Sequence, residues 1–451
     1  MMIHNNKISD NLISFTSKKI SGKIYPPADK SISHRSLIIS SLAVGKSRIE
    51  NLLESEDVMH MVQALKLLGV RIDKNKKGIW EVFGVGLDGF TEPEYLINCG
   101  NSGTLARTLI GAVTGNSIVV TFTGDKSLNE RPMERVIIPL EKMGAQIVST
   151  ANNRLPLTVK GTTNLLPIKY ENPISSAQVK TSVLLAALNV RGVTEFVEPY
   201  TSRDHTEIML KKFGAKIRFK SSKNKKNVVF IEGGVNLKGN DIYVPSDLSS
   251  ASFAIIAASI VPGSYLKLNN VCINYFRTGI LDALKKMGAD ISITNRNKYT
   301  SEEPIADIEV KYSKLKGLDL KSYCSSRMID EYPILSIAAS VASGKTILRG
   351  LRELKVKESN RFDAIINGLR SCGVKVNYKG EDIIINGASG KIKGGTTIDS
   401  NFDHRIAMSF LVLGGVSKNP ISVKGCKSIL TSYPNFLYQM NSIGMDIRSN
   451  D

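Results

Sequence analysis

The residues of this chain that could do chemistry are mostly cations: Lys30, Arg35, Arg107, Arg131, Arg203, Lys357, Arg361 and Arg405, set against the carboxylates Asp330 and Glu358. They sit in short polar signatures. Lys30-Ser-Ile-Ser-His-Arg35 places an ammonium, a hydroxyl and a guanidinium within about one and a half helical turns. That set suits a phosphate, with arginine binding in a fork and lysine as a point charge. In Asn98-Cys-Gly-Asn-Ser-Gly-Thr-Leu-Ala-Arg107 two glycines precede the apolar run 105–113, a glycine loop opening into a helix. The first N–H groups of a helix have no internal partner and carry partial positive charge, so an oxyanion can approach there. Asp125-Lys-Ser-Leu-Asn-Glu-Arg-Pro132 reads as a polar loop, with Arg131 set to hold an anion and Pro132 in the first turn of the next helix. Lys355-Val-Lys-Glu-Ser-Asn-Arg361 precedes another helix, with Ser359 as the expected N-cap. Taken singly, the glycine loop and the Lys30 signature also read as ordinary capped helix starts, Arg131 and the 355–361 cluster as solvated charges, and Asp330-Glu331 as carboxylates favoured by the helix dipole, with Asp403-His-Arg405 likewise ambiguous. Taken together, many cations and few carboxylates imply two anionic substrates and acid–base chemistry. Walker, metal-cluster and Ser-His-Asp patterns are missing from the sequence.

The elements that must position these residues repeat. With Lys30, Asn101, Ser176, Asp247, Asp330 and Asp403 as markers, the steps are 71, 75, 71, 83 and 73 residues. A second signature keeps the same rhythm: Leu65-Lys-Leu-Leu-Gly-Val-Arg-Ile72 is echoed at Leu140, Leu210, Leu284, Leu369 and Met440. In each echo a glycine closes an amphipathic helix and a strand follows. One unit therefore reads helix, strand, helix, strand, often with a final hairpin strand, and the chain is α/β. The first helix of each unit is rich in Ala, Ser and Leu on all sides and should be buried; the second is amphipathic and should lie outside. Six units predict two domains of three, residues 28–244 and residues 1–27 with 245–451, with two crossover strands as hinge near 27–29 and 241–246. The strand region 16–27 is expected to pair with the last unit.

Composition narrows the partners. A chain of 451 residues with 42% hydrophobic content is that of a globular protein too long for one core. No run is long enough for a membrane span, and residues 1–7 lack a secretion signal. Five scattered cysteines disfavour disulfides and zinc and fit a reducing cytoplasm. Cys99, beside the glycine loop, reads as a packing residue. No metal and no cofactor are expected. The net charge of +19 calls for anions, yet only 6% of residues are aromatic, so a small phosphorylated substrate explains the arginines better than nucleic acid. The lysine runs 74–77 and 222–226 read as solvated hairpin tips.

With these residues assembled, the chain resembles the 5-enolpyruvylshikimate-3-phosphate synthase family of enolpyruvyl transferases over about 18–438. The resemblance rests on Asp29-Lys-Ser-Ile-Ser-His-Arg35, Gly100-Asn-Ser-Gly-Thr104, Asn129-Glu-Arg-Pro132, Ser176-Ala-Gln178, Thr201-Ser-Arg-Asp-His205, Ile329-Asp-Glu-Tyr-Pro333, Val356-Lys-Glu-Ser-Asn-Arg361 and Asp403-His-Arg405. It implies a two-domain inverse α/β barrel, each domain made of three βαβαββ units. It implies transfer of the enolpyruvyl group of phosphoenolpyruvate to shikimate 3-phosphate, by a cytoplasmic monomer needing neither nucleic acid nor membrane. Shikimate 3-phosphate would be bound by Lys30, Ser31, Arg35, Ser176, Ala177, Gln178, Arg203, Asp330 and Lys357. Phosphoenolpyruvate would be bound by Lys30, Gly103, Arg131, Gln178, Arg361 and Arg405. Asp330 and Glu358 would be the acid–base pair, with Lys30 assisting. A lysine that some relatives use near the C-terminal Ser-Tyr-Pro motif is matched by Thr431, with Lys427 close in sequence. A related transferase acting on UDP-N-acetylglucosamine typically carries a reactive cysteine before the Arg131-like loop, where this chain offers none.

Overall fold

A computed structural model of the chain describes residues 8–221, 227–296 and 302–450. The lysine run at 222–226 and the start at 1–7 lie outside the described residues. The described residues gather into two compact units, one within Ala28–Val244 and Tyr299–Glu303, the other within Met1–Pro27, Pro245–Lys298 and Pro304–Asp451.

Six four-stranded sheets of one design make up the β structure of the described residues. In each, an edge strand runs parallel to its neighbour and two antiparallel strands follow. The sheet Lys169–Glu171, Val193–Glu198, Asn227–Glu232, Lys216–Ser221 shows the pattern, with Tyr170 beside Phe196 in the parallel pair and Phe196 facing Val229 in the antiparallel one. A parallel pair needs a crossover, and in four sheets a helix supplies it: Gly103–Val113, Ala177–Ala187, Tyr332–Val341 and His404–Gly414. In the other two the edge strand comes from far away in the chain. Asp241–Tyr243 pairs with Val44–Glu50, and Ser21–Ile24 pairs with Tyr265–Cys272.

The N-terminal strands differ from expectation. Asn11–Phe15, upstream of the expected region, inserts between Ser417–Lys424 and Asp446–Ser449 of the last sheet. The strand inside 16–27 joins the fourth sheet instead. Backbone pairing satisfies either choice, and only the non-local packing of Leu12, Ile20 and Ile24 into one core with Leu266 and Ile421 selects between them.

Small side chains explain why six helices are buried. Every residue of Leu248–Ile260 is buried, and in Ala177–Ala187 only Gln178 is not. Ala and Ser let backbones approach, and the serine hydroxyls bond back to the preceding turn, as Ser259 does to Ile255 O at 2.8 Å. The second helices show one apolar face: Phe362, Ile365, Ile366 and Leu369 of Arg361–Ser371 are buried. Each of these six helices ends at a glycine in the left-handed region, from Gly69 at φ 86° to Gly444 at φ 110°. Only glycine takes that conformation without Cβ strain, so the repeated glycine sets where each helix stops. Between the strands Arg71–Lys74 and Trp80–Val85 the lysine run is indeed a hairpin turn, but Lys74 is engaged by Glu54 and lies over the Trp80 ring. Among the described residues no helix is long and apolar enough to cross a membrane.

Candidate functional site

The first group of candidate residues belongs to the unit within Ala28–Val244. Its helices Lys30–Leu42, Gly103–Val113 and Ala177–Ala187 begin at side-chain caps: Asp29 accepts from Ile32 N at 2.9 Å, Ser102 from Leu105 N at 3.2 Å and Ser176 from Val179 N at 3.5 Å. The caps leave the Lys30-Ser31, Gly103 and Ala177-Gln178 segments in the first turns, where N–H groups have no partner within the helix. Two of these helices are held tightly together. A Cβ on Gly111 would lie 2.2 Å from Ser182 O, so the backbones touch there and the helix starts are fixed against each other. Gln178 bridges them, taking a bond from Arg107 Nη1 at 2.7 Å and donating to Thr104 Oγ1 at 3.0 Å.

Around Gly103 the loops knit into a cationic cradle. Arg131 Nη2 donates to Asn101 Oδ1 at 2.7 Å, and Asn101 Nδ2 to Asp125 Oδ2 at 2.6 Å. A Cβ on Gly103 would meet Arg131 Nη1 at 3.2 Å and Arg107 Nη1 at 3.3 Å, so two guanidiniums flank bare backbone. Gly100 takes φ 55°, in the left-handed region that favours glycine, and a Cβ there would lie 2.7 Å from the His60 ring. The Asp125–Pro132 segment is not simply a loop. It contains the short helix Lys126–Glu130 capped by Asp125, and the following helix Glu134–Lys142 starts beyond Pro132, with Met133 as its N-cap. Burial of Cys99 pushes its thiol well above the ordinary range, as a packing residue requires.

Arg35 is the most informative side chain of this group. It is 3% exposed, and among the described residues its guanidinium donates only to neutral oxygens: Thr206 Oγ1 at 2.7 Å, Thr181 Oγ1 at 2.8 Å and Ser31 O at 2.9 Å. Burial first, and the half-buried Arg203 second, pull its pKa down to about 10, while Glu207 and Asp29 oppose them. It is still charged at neutral pH, and a buried cation held by neutral groups beside another cation is a place an anion would relieve. Lys30 is placed otherwise than the signature suggests: its Nζ is 2.7 Å from Asp57 Oδ2, a residue that nothing in the sequence singles out.

The second group belongs to the other unit, at the starts of Leu248–Ile260, Tyr332–Val341 and His404–Gly414 and in the 352–361 segment. Arg361 is its centre. It is fully buried and clamped by Asp403 in a fork, Nε to Oδ2 at 2.7 Å and Nη2 to Oδ1 at 3.2 Å. The same guanidinium lies 2.6 Å from Glu358 Oε2 and 3.3 Å from Asp330 Oδ1. Burial works against its charge, but Asp403 and Glu358 hold its pKa above the ordinary arginine value. Lys357 Nζ also reaches Asp330 at 3.2 Å. Arg405 Nη1 donates to Ser249 Oγ at 2.6 Å and to Asp330 O at 3.1 Å, and Ser249 in turn bonds Glu331. Asp330, Lys357, Glu358, Arg361 and Arg405 are thus brought together. The N-cap of Arg361–Ser371 is Asn360, accepting from Asp363 N at 3.2 Å, where Ser359 was expected. Ser359 instead donates to Asp403 at 3.1 Å. Thr431 is turned back onto Ser428 O at 2.8 Å, and Lys427 is exposed.

The chain matches the family model described as EPSP synthase (3-phosphoshikimate 1-carboxyvinyltransferase) across residues 15–440. It is 44% identical over 428 residues to a 3-phosphoshikimate 1-carboxyvinyltransferase of Paramagnetospirillum magneticum, covering 95% of this chain and 96% of that one. A protein of the same name from Parvibaculum lavamentivorans is 44% identical over 439 residues, 97% of each chain. A solved EPSP synthase of Acinetobacter baumannii superposes with a TM-score of 0.84 at 39% identity, covering 97% of this chain and all of that one.

Proposed function

Because the chain belongs to the EPSP synthase (3-phosphoshikimate 1-carboxyvinyltransferase) family, we propose that it transfers the enolpyruvyl group of phosphoenolpyruvate to the 5-hydroxyl of shikimate 3-phosphate in aromatic amino acid biosynthesis. The observation that carries this reading is Arg35, a buried guanidinium with neutral partners beside Arg203, which fits the ester phosphate of that substrate. Ser31, Ser176, Ala177 and Gln178 add helix-start contacts, and Lys357 and Asp330 engage the same substrate. Gly103, Arg131, Gln178, Lys30, Arg361 and Arg405 serve phosphoenolpyruvate. Each unit is read as an inverse α/β barrel of three βαβαββ repeats, which the buried Ala/Ser helices support. With this reading goes a monomer working in the cytoplasm.

The reaction adds the hydroxyl oxygen to C2 of phosphoenolpyruvate while C3 gains a proton and the hydroxyl loses one. The tetrahedral adduct then loses phosphate as a proton leaves the new methyl group, restoring the double bond. Asp330 is assigned to the hydroxyl proton and Glu358 to the carbon proton, with Lys30 assisting. A coupled assay for phosphate release tests the function directly: release must need both substrates and stop when either is omitted.

Arg131→Ala removes one charge-assisted contact and should raise KM for phosphoenolpyruvate roughly tenfold or more, with shikimate 3-phosphate less affected. Equal rises for both substrates would sink this assignment. Gly103→Ala acts on the same cradle more mildly. Its methyl crowds Arg131 and Arg107 at 3.2 and 3.3 Å, so both guanidinium ends, which the proposal sets against the anion, must shift slightly. The expected result is a rise in KM for phosphoenolpyruvate smaller than that of Arg131→Ala, read by varying each substrate in turn.

A further inference from the structure

The unit within Ala28–Val244 contains a buried ionic cluster that the proposed chemistry does not use. Lys180, Glu198 and Glu207 are each 1% exposed, with Lys180 Nζ 2.7 Å from Glu207 Oε1 and 3.1 Å from Glu198 Oε2. Buried ion pairs are costly and are replaceable by apolar groups unless they hold something in place. Here they hold backbone. Glu198 Oε1 accepts the Ser202 hydroxyl at 2.6 Å and the Ser176 N–H at 3.3 Å, and Oε2 accepts the Ser202 N–H at 3.2 Å. Lys180 Nζ completes the ring by donating to Ser202 O at 3.2 Å. A carboxylate is the side chain that can accept from three such donors at once.

We propose that Glu198, with Lys180 as its charge partner, is a positioning residue for shikimate 3-phosphate: it fixes the Ser176-Ala-Gln178 helix start and the Ser202-Arg203 turn against each other. The inference rests on the function proposed above. Its geometry extends to Arg35, because the cluster's chain neighbours are that residue's anchors. Thr181 follows Lys180 and accepts Arg35 Nη2, while Thr206 precedes Glu207 and accepts Arg35 Nε. One ionic knot thus lies behind contacts drawn from the strand Val193–Glu198 and the helices Ala177–Ala187 and His205–Lys212. Burial keeps Glu207 above the ordinary carboxyl range in spite of Lys180, and the two glutamates keep Lys180 above its own range although burial pulls it down.

Glu198→Gln keeps the shape but puts an NH2 group where one oxygen accepts: at the Oε2 position it opposes both the Ser202 N–H and the Lys180 ammonium, and at the Oε1 position it opposes the Ser176 N–H and the Ser202 hydroxyl. KM for shikimate 3-phosphate should rise about tenfold, while kcat and KM for phosphoenolpyruvate change by less than about twofold. Ser202→Ala removes a single hydroxyl from the same carboxylate and should raise the same KM several-fold; it keeps the test open should Glu198→Gln not fold. A purely structural cluster would lower the melting temperature and the yield of active enzyme and leave both KM values alone. Unchanged KM for shikimate 3-phosphate in the folded variants, or equal rises for both substrates, overturns the positioning role. Failure of the parent enzyme to release phosphate from the two substrates would instead overturn the proposed function.

Discussion

Glu358→Gln is expected to lower kcat by about 10²–10⁴-fold, the range a positioned acid–base group contributes, with little change in either KM. Glutamine keeps the size and one carbonyl oxygen beside Arg361, which lies 2.6 Å from the carboxylate, so the local packing survives while the ability to carry a proton is lost. Asp330→Asn should lose rate on the same order for the same reason, since Lys357 at 3.2 Å and Arg361 at 3.3 Å hold that side chain. Solvent deuterium separates the two. The parent enzyme should incorporate deuterium into the methylene group of phosphoenolpyruvate when shikimate 3-phosphate is present, and Glu358→Gln should not. A Glu358→Gln enzyme that exchanges and turns over like the parent would make Glu358 only a tether for Arg361. The carbon proton would then come from elsewhere, and Lys30 with its Asp57 partner is the next group to replace.

What the sequence made legible is what local backbone rules decide. A polar signature ahead of an Ala/Ser-rich run marks a capped, buried helix, and a glycine after an amphipathic run marks its end; all six such glycines, Gly69 to Gly444, take the left-handed conformation. Boundaries were less legible where two residues cap equally well. Asn360 displaces Ser359 because Asp403 claims the serine hydroxyl, and the Asp125 side chain can nucleate a short helix in what reads as loop. Long-range pairings were not legible. Asp57 lies 27 residues from Lys30, and Thr206, although it directly follows the Thr201-Ser-Arg-Asp-His205 signature, lies 171 from Arg35, with no spacing that pairs either with its partner. The same holds for Glu198 and Lys180, whose types look like ordinary surface charges until the fold closes over them. Arg361 is the sharpest case. Its sequence neighbourhood suggests an arginine reaching out from a helix start, whereas Asp403, 42 residues away, encloses it.

That enclosure decides the second large effect. Arg361→Ala is expected to destabilise its unit by about 3–5 kcal/mol, the usual result of removing one member of a buried ion pair. Asp403 is itself fully buried, so its carboxylate would be left without its main counter-charge, with Ser359 and the Arg405 N–H as its remaining donors among the described residues. Activity should fall with stability, because Glu358 and Asp330 lose the guanidinium they share. Arg361→Lys keeps the charge but cannot form the fork to Asp403, so it should recover stability in part and activity less. Arg361→Met with Asp403→Asn removes both charges together and should be more stable than Arg361→Ala while remaining inactive, since the lost burial penalty and the lost chemistry are separate. Urea unfolding of the three variants alongside steady-state kinetics reads both effects. If Arg361→Ala unfolds within about 1 kcal/mol of the parent and raises only KM for phosphoenolpyruvate, Arg361 is a substrate-facing cation first. If stability and kcat fall together and Arg361→Lys restores mainly the former, the guanidinium is the rigid frame that sets the two proton-carrying carboxylates.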